Sequence, residues 1–447
     1  MIGRRRTTWT GATAVLWTTW TLLVPHPAYS AGSSVPSEGG YAFAEEVRAV
    51  EPAESTIDAE RLEPGTAYRS TLPPEGKIYF RLELDATSTT YVSATAVPPD
   101  DTQVVTADGI RVTVEDTDGD SCSYDTETIG AARSPHPIVA WGAREAGPGS
   151  NRCEGEGTYY AVVERVSSTS SAPDTWDLEL AVVSEPGLTE SGGTQAPESW
   201  NSAPPKAVTG DPVRRAGGAG FASATPLGEG VWEDAIAPAQ TLFYEIPVDW
   251  GTQLSATAEL SGSGEQGAYT SGALDLTLHN PVRAPVEDAS AGYSGRQAAA
   301  TLQPLPPVEY ANRHAIAGRV NGMRFAGSYY LVVHLSEQVT DRLGGGPFGL
   351  TLRVGIEGAA QSGPGYEGEP TPAGVFTAEG AAGGQGGGTG GSTGDGGPSG
   401  SGGTTGGGGA MTALAVGGIG AGSALLAWLA LWTVTARRRG TGRRTAV

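Results

Sequence analysis

Beyond the N-terminal leader the histidines are His136, His279, His314 and His334, and none stands in an H-E-x-x-H arrangement that would set two imidazoles and a carboxylate on one helix face. The literal G-x-S-x-G, Gly390-Gly391-Ser392-Thr393-Gly394, falls in a glycine-rich tract where no strand-to-helix turn forms to expose a nucleophile. Acidic pairs such as Asp100-Asp101 have the residue types of a glycosidase dyad, but among 49 acidic residues such pairs arise from composition alone. The spacing that does suggest chemistry is Asp116-Thr117-Asp118-Gly119-Asp120, with Glu127 where the closing glutamate of a calcium loop would stand. Ser121 occupies the place where such a loop needs glycine, and no helices flank it. Calcium ligation by Asp116, Asp118, Asp120 and Glu127 therefore stands beside the plainer reading of an acidic, solvated loop. Cys122 and Cys153, the cysteines of the chain, read as a disulfide in an exported protein, worth roughly 3 kcal/mol through loop entropy. Two thiolates on a metal with His136 are the rival reading, short of the four ligands that structural zinc takes. No catalytic set emerges, and a non-catalytic protein is expected.

The elements that must hold these residues repeat. Gly157-Thr158-Tyr159-Tyr160-Ala161-Val162-Val163 returns as Gly327-Ser328-Tyr329-Tyr330-Leu331-Val332-Val333. Upstream, Tyr79-Phe80-Arg81-Leu82-Glu83-Leu84-Asp85 matches Phe243-Tyr244-Glu245-Ile246-Pro247-Val248-Asp249, and a Ser-Ala-Thr-Ala string follows at Ser93 and again at Ser255. Arg111-Val112-Thr113-Val114 matches Asp275-Leu276-Thr277-Leu278, and Trp176-Asp177-Leu178-Glu179-Leu180 matches Phe348-Gly349-Leu350-Thr351-Leu352. The order is the same in both copies, so length changes belong to loops of a duplicated domain. Gly39-Gly40-Tyr41-Ala42-Phe43-Ala44 also echoes Gly217-Gly218-Ala219-Gly220-Phe221-Ala222, which would start the first repeat early. Within each block apolar and polar residues alternate, the pattern of antiparallel strands with one buried face. With no sustained 3.6-residue apolar period before the C-terminus, the fold class expected is all-β, as two tandem β-sandwiches.

The succession of a polar lead-in, an aromatic pair entering an alternating strand that ends in Asp85 or Asp249, the Ser-Ala-Thr-Ala string and the Gly-Thr/Ser-Tyr-Tyr strand resembles the bacterial pre-peptidase C-terminal domain. The likeness covers about residues 58–183 and 223–356. In the second copy Ala224-Thr225-Pro226-Leu227 and the Trp250-Gly251 turn fit that family's lead-in and turn. The first copy has Asp85-Ala86-Thr87 in place of a glycine turn and a long insertion holding both cysteines. The resemblance implies jelly-roll-like sandwiches serving as non-catalytic accessory or binding modules.

The flanks address the chain to a membrane. Residues 1–30, with Arg4-Arg5-Arg6, an apolar stretch and Ala28-Tyr29-Ser30, read as a secretory signal peptide. An acidic arm spans 31–57, the first sandwich 58–183, a Pro/Gly/Ser linker 184–220 and the second sandwich 221–357. A Gly/Ser/Thr-rich stretch, 358–409, reads as a disordered stalk. Residues 411–436 are uncharged and long enough for one helix across a hydrocarbon core of ~30 Å. Arg437, Arg438, Arg439, Arg443 and Arg444 in the tail 437–447 would hold its end in the cytoplasm, leaving both sandwiches outside the cell. The net charge of −21, more negative still outside the membrane, excludes a nucleic-acid role and suits an extracellular protein. The expectation is a single-pass binding protein of the cell surface, its partner an envelope protein, peptide or glycan. An accessory subunit that positions substrate for a separate envelope hydrolase or protease is the alternative.

Overall fold

Alternating strands need a partner face, and the computed structural model supplies it by pairing them into four sheets. It describes residues 40–147, 153–167, 171–190, 192–264 and 267–378. The expected signal peptide, the stalk beyond 378, the spanning segment 411–436 and the five terminal arginines lie outside the described residues. Among the described residues no helix is long and apolar enough to cross a membrane.

The first sandwich contains β1 (Arg48–Ala49), β2 (Ala67–Leu72), β3 (Lys77–Leu84), β4 (Thr89–Val97), β5 (Gly109–Asp116), β6 (Ser121–Thr128), β7 (Ile138–Arg144), β8 (Gly157–Val166) and β9 (Trp176–Glu185). Sheet I has the order β1-β2-β9-β4-β7 and sheet II the order β3-β8-β5-β6. The second contains β10 (Val213–Arg214), β11 (Thr225–Pro226), β12 (Gly230–Ile236), β13 (Thr241–Val248), β14 (Gln253–Leu260), β15 (Thr270–His279), β16 (Pro285–Tyr293), β17 (Ala298–Thr301), β18 (Gly327–Leu335) and β19 (Phe348–Glu357). Sheet III runs β11-β13-β18-β15-β16 and sheet IV β10-β12-β19-β14-β17. Each sandwich closes on its own core. Phe80, Leu82, Val112, Trp176 and Leu180 belong to the first core, and Tyr244, Ile246, Leu276, Leu331 and Leu352 to the second. Each such burial is worth ~1.5–3 kcal/mol.

Pairing registers expose the duplication directly. Leu84 lies opposite Gly157 and Leu82 opposite Tyr159, as Val248 lies opposite Gly327 and Ile246 opposite Tyr329. The first tyrosine of each pair turns into the core and sends its hydroxyl back along the chain: Tyr159 donates to the Cys153 carbonyl at 3.0 Å and Tyr329 to the Phe325 carbonyl at 2.8 Å. Leu72 faces Trp176 as Ile236 faces Phe348. One matched block shifts. Ala94 pairs with Leu180 and Ala258 with Leu352, so the counterpart of Ala94 is Ala258 and the Ser-Ala-Thr-Ala strings are out of register by one strand period. A slip of that size keeps every side chain on its own face, so alternation cannot reveal it. The repeat also starts earlier than residues 58 and 221, because β1 lies parallel to β2 as β10 lies parallel to β12.

The two sandwiches are pressed together. On sheet I the outward residues Tyr91, Val139 and Val183 are buried, and so are Phe243 and Val332 on sheet III. Val139 clusters with Phe221, Phe243 and Val332, and Tyr91 packs edge-on to Phe325 at 5.3 Å. The layers therefore stack in the order II, I, III, IV. Three acidic residues of the first sandwich meet three arginines of the second across this seam. Glu179 pairs with Arg283, Glu185 with Arg313 at 2.8 Å, and Glu145 with Arg324 at 2.8 Å. Glu185, its side chain 1% exposed, also accepts from the Tyr91 hydroxyl at 2.7 Å and from that of Tyr366 at 2.9 Å.

Two expectations change here. The segment read as a linker is held at several points: Leu188 bridges to Tyr366, the Lys206 amide donates to Glu357, and Arg353 donates to the Val208 carbonyl. The stretch read as stalk from residue 358 is ordered to residue 378. Ser184 and Thr371 exchange backbone hydrogen bonds of 2.8 and 2.9 Å, and Phe376 stacks on Phe325 at 4.8 Å. Tyr366 and Phe376 give these stretches the apolar contacts that their Pro/Gly/Ser composition conceals.

Candidate ligand cleft at the seam

Where sheet III emerges beside the end of β6, the two sandwiches enclose a cavity of about 280 Å³. Its first wall comes from the first sandwich, as Glu127 at the end of β6, the turn after it, and His136 ahead of β7. Its second wall is the outward face of sheet III. Strand alternation brings His279, Thr277 and Asp275 of β15 to that face, with Val332 and His334 of β18 and Asp288 and Ser290 of β16. Register fixes the neighbours: Asp275 lies between His334 and Ser290, and Thr277 between Val332 and Asp288.

The imidazoles are held by one ring nitrogen each. His136 Nδ1 lies 2.7 Å from the Ser134 carbonyl and His279 Nδ1 3.1 Å from the Arg283 carbonyl. Since a carbonyl only accepts, both rings carry their proton on Nδ1 when neutral. His334 Nδ1 lies 3.0 Å from Thr241 Oγ1, and its ring stacks on that of His136 at 4.5 Å. His334 is 2% exposed, and among the described residues its Nε2 has no hydrogen-bond partner. Burial pushes all three imidazoles down: His279 to about 4, His334 well below its ordinary value with His136 adding to the effect, and His136 downward. They stay neutral at physiological pH. The carboxyls go the other way. Burial raises Glu127 to about 7, with Asp125 and Asp288 adding to it, and raises Asp275 to about 7, with Asp288 adding to it. The cleft thus offers proton-exchanging carboxyls and neutral imidazole acceptors above an apolar floor that includes Val139, Val286 and Val332.

The residues singled out for calcium are not gathered. Asp116 Oδ1 accepts the backbone amides of Asp118 and Asp120 at 3.0 and 2.9 Å, closing the turn between β5 and β6. Glu127 stands at the opposite end of β6, across from Ile110, because the antiparallel hairpin carries it a full strand away. Among the described residues no group of three or more His, Cys, Asp or Glu could hold a metal ion. Cys122 and Cys153 form the expected disulfide, with Cα atoms 5.5 Å apart, so thiolate ligation of a metal falls away. His314 and the Asp100-Asp101 pair do not line this cleft.

His334 stands at the register that Glu164 holds in the first repeat, yet here the first sandwich covers it. The available signal was the change of chemistry along one row: Lys77, Glu164 and Arg111 in sheet II become Thr241, His334 and Asp275 in sheet III. A row that trades three charged side chains for one has given up most of its water.

No family model matches the chain, and no curated protein matches it. Solved structures that it resembles include the tandem CBM22-1–CBM22-2 domain of Paenibacillus barcinonensis Xyn10C, at 12% identity over 66% of this chain and 86% of that one, with a TM-score of 0.18. The CUB1-EGF-CUB2 domain of human MASP-1/3 is 10% identical over 65% of this chain and 99% of that one, with a TM-score of 0.16. A putative secreted protein from Parabacteroides distasonis is 9% identical over 73% and 98%, also with a TM-score of 0.16. Likenesses of this size carry no functional argument. What the chain can be said to be rests on its own geometry: two copies of one β-sandwich locked into a single body by an acid–arginine seam.

Proposed function

We propose that the chain is an exported, membrane-tethered, non-catalytic binding protein whose ligand seats in the cleft between its two sandwiches. The observation that carries this reading is the cleft itself, walled by both sandwiches and lined by His334, whose buried Nε2 has no partner among the described residues. The disulfide supports folding in an oxidising compartment, and the uncharged run followed by arginines supports the tether. The strand order β2-β9-β4-β7 against β3-β8-β5-β6, repeated in the second sandwich, supports a jelly-roll reading and with it the pre-peptidase C-terminal resemblance.

The test is a thermal-shift screen of the full chain against peptides, glycans and small metabolites, run beside Ser290→Trp. Ser290 is exposed at the cleft, and the indole would fill it. A ligand that raises Tm in the wild type and not in the variant bears the reading out. Ligands indifferent to the substitution, or ligands that the protein turns over, contradict it.

A further inference from the structure

Among the described residues, the carboxyls that face the seam cleft are Glu127 from the first sandwich and Asp275 and Asp288 from the second; Glu287, opposite Leu278 in the register, turns to the other side, toward Arg319. Among the described residues no lysine or arginine lines the cleft. An acidic lining alone would be a solvated surface. Here a second, independent feature points to a ligand, because His334 is 2% exposed, lines the same cavity, and has an Nε2 with no partner among the described residues. A buried imidazole nitrogen without a partner is unfavourable, and a bound donor would satisfy it. The Thr241 hydroxyl can accept from Nδ1, and in that tautomer Nε2 presents a lone pair. The cleft is therefore rich in acceptors and poor in donors.

The occupant such a site fits is a cation with several N–H donors. A bare metal ion does not fit, since among the described residues no three ligand-type side chains converge to hold one. An ammonium group bonds at ordinary hydrogen-bond distance through three separate donors, so it tolerates acceptors spread around a cleft. The volume of about 280 Å³ lies at the small end of ligand sites. Val139, Val286 and Val332 give a short methylene chain an apolar floor. We infer that the seam cleft binds a small alkylamine in its primary ammonium form, held between Asp275 and Asp288 on one side and Glu127 on the other, with His334 Nε2 accepting one N–H. Burial raises Glu127 and Asp275 to about 7, and the neighbouring Asp288 adds to it in both, a penalty on the ionised carboxyls that a bound cation would relieve.

This inference rests on the cleft being the ligand seat. The experiment is calorimetric titration of the full chain with 1,4-diaminobutane, with 1,4-butanediol as the neutral isostere, at pH 8, where the lining carboxyls are ionised. The expected result is saturable one-to-one binding of the diamine, none of the diol, and at least a tenfold weakening by Asp275→Asn with Tm retained. Asp288→Asn, at an exposed position on the edge strand β16, gives the same readout should Asp275→Asn fail to fold. Asp100→Asn, away from the cleft, leaves binding unchanged. Absence of diamine binding, equal binding of the diol, or affinity unmoved by both cleft variants overturns the amine. A screening hit lost in Ser290→Trp while the diamine stays silent would sink the amine alone and leave the seat standing.

Discussion

At equivalent registers the outward face of sheet II carries Lys77, Tyr79, Glu164 and Arg111, where sheet III carries Thr241, Phe243, His334 and Asp275. Lys77 and Arg111 are exposed, and Lys77 reaches Glu164 at 3.9 Å across open surface. Thr241, Phe243 and His334 are buried. Core-facing residues of the two sheets stay alike, so the fold was kept while one face was rebuilt to meet a neighbour. The complementary change is on sheet I, where Tyr91, Val139 and Glu179 cover the face that sheet III presents. Duplication supplied two sandwiches, and divergence of one face on each joined them, leaving a cleft where the joining is incomplete.

The sharpest way to break this comparison is at the strand ends. Glu185 closes β9 in the seam, and Glu357 closes β19 at the matching place away from it. Glu185→Ala strands Arg313 and removes the acceptor of Tyr91 and Tyr366, so unfolding by urea is expected to show a loss on the order of 3–5 kcal/mol. Glu357→Ala, which frees the Lys206 amide at a partly exposed site, is expected to cost under about 1 kcal/mol. Equal costs would mean the seam contributes nothing.

The disulfide distinguishes the sandwiches next. Cys122→Ser with Cys153→Ser is expected to cost roughly 3 kcal/mol. Hydrogen exchange should speed up in β5 and β6 and stay slow in their counterparts β15 and β16, which have no such bond. Uniform loosening of both pairs would show that the insertion stabilises the whole body.

A smaller effect separates the two glycines that open the Tyr-Tyr strands. Both adopt positive φ, +151° at Gly157 and +132° at Gly327, so alanine is strained at either by about 1–3 kcal/mol. At Gly157 an added Cβ meets nothing within 4 Å, whereas at Gly327 it lands on the Val375 carbonyl oxygen. Gly327→Ala alone should therefore open the segment around Tyr366 and Phe376 to limited proteolysis. Cleavage there in both variants, or in neither, would contradict the placement of that segment.

The weakest predicted difference is in pH dependence. His279, held at about 4, and His334, held lower than usual, stay neutral in the fold while the unfolded chain protonates near 6.5, so their contribution is present above that pH and is lost as pH falls below it. Glu127 and Asp275, raised to about 7, favour the fold at low pH and lose that contribution as pH climbs through 7. The two trends oppose each other between about pH 4 and 7. In Glu127→Gln with Asp275→Asn only the histidine trend remains, so the urea midpoint should exceed the wild type's at pH 8 and fall more steeply below pH 6.5. Parallel profiles would place these carboxyls in water.

Strand identity, the duplication and the disulfide were readable in the sequence because each leaves a local mark: period-two alternation, a repeated string, an even pair of cysteines. The seam left almost none. Phe243 beside Tyr79 looks conservative, and the acid–arginine pairs join residues far apart in the chain, such as Glu179 with Arg283, whose charges look like ordinary surface. Asp116 to Glu127 misled because spacing along a strand was read as spacing around a loop. Residues 358–378 misled because composition hid Tyr366 and Phe376 among glycines and prolines. The cleft could be seen only once two faces were known to meet.

Double electron–electron resonance between spin labels at Lys77→Cys and Thr301→Cys tests the joining most directly. Both sites are exposed, in sheets II and IV at opposite ends of the stack, and the chain has no free cysteine to compete for label. A single narrow distance distribution, broadened by Glu185→Ala, is the result expected of one locked body. A broad distribution in the unaltered protein, of the kind two sandwiches on a loose tether would give, would contradict it.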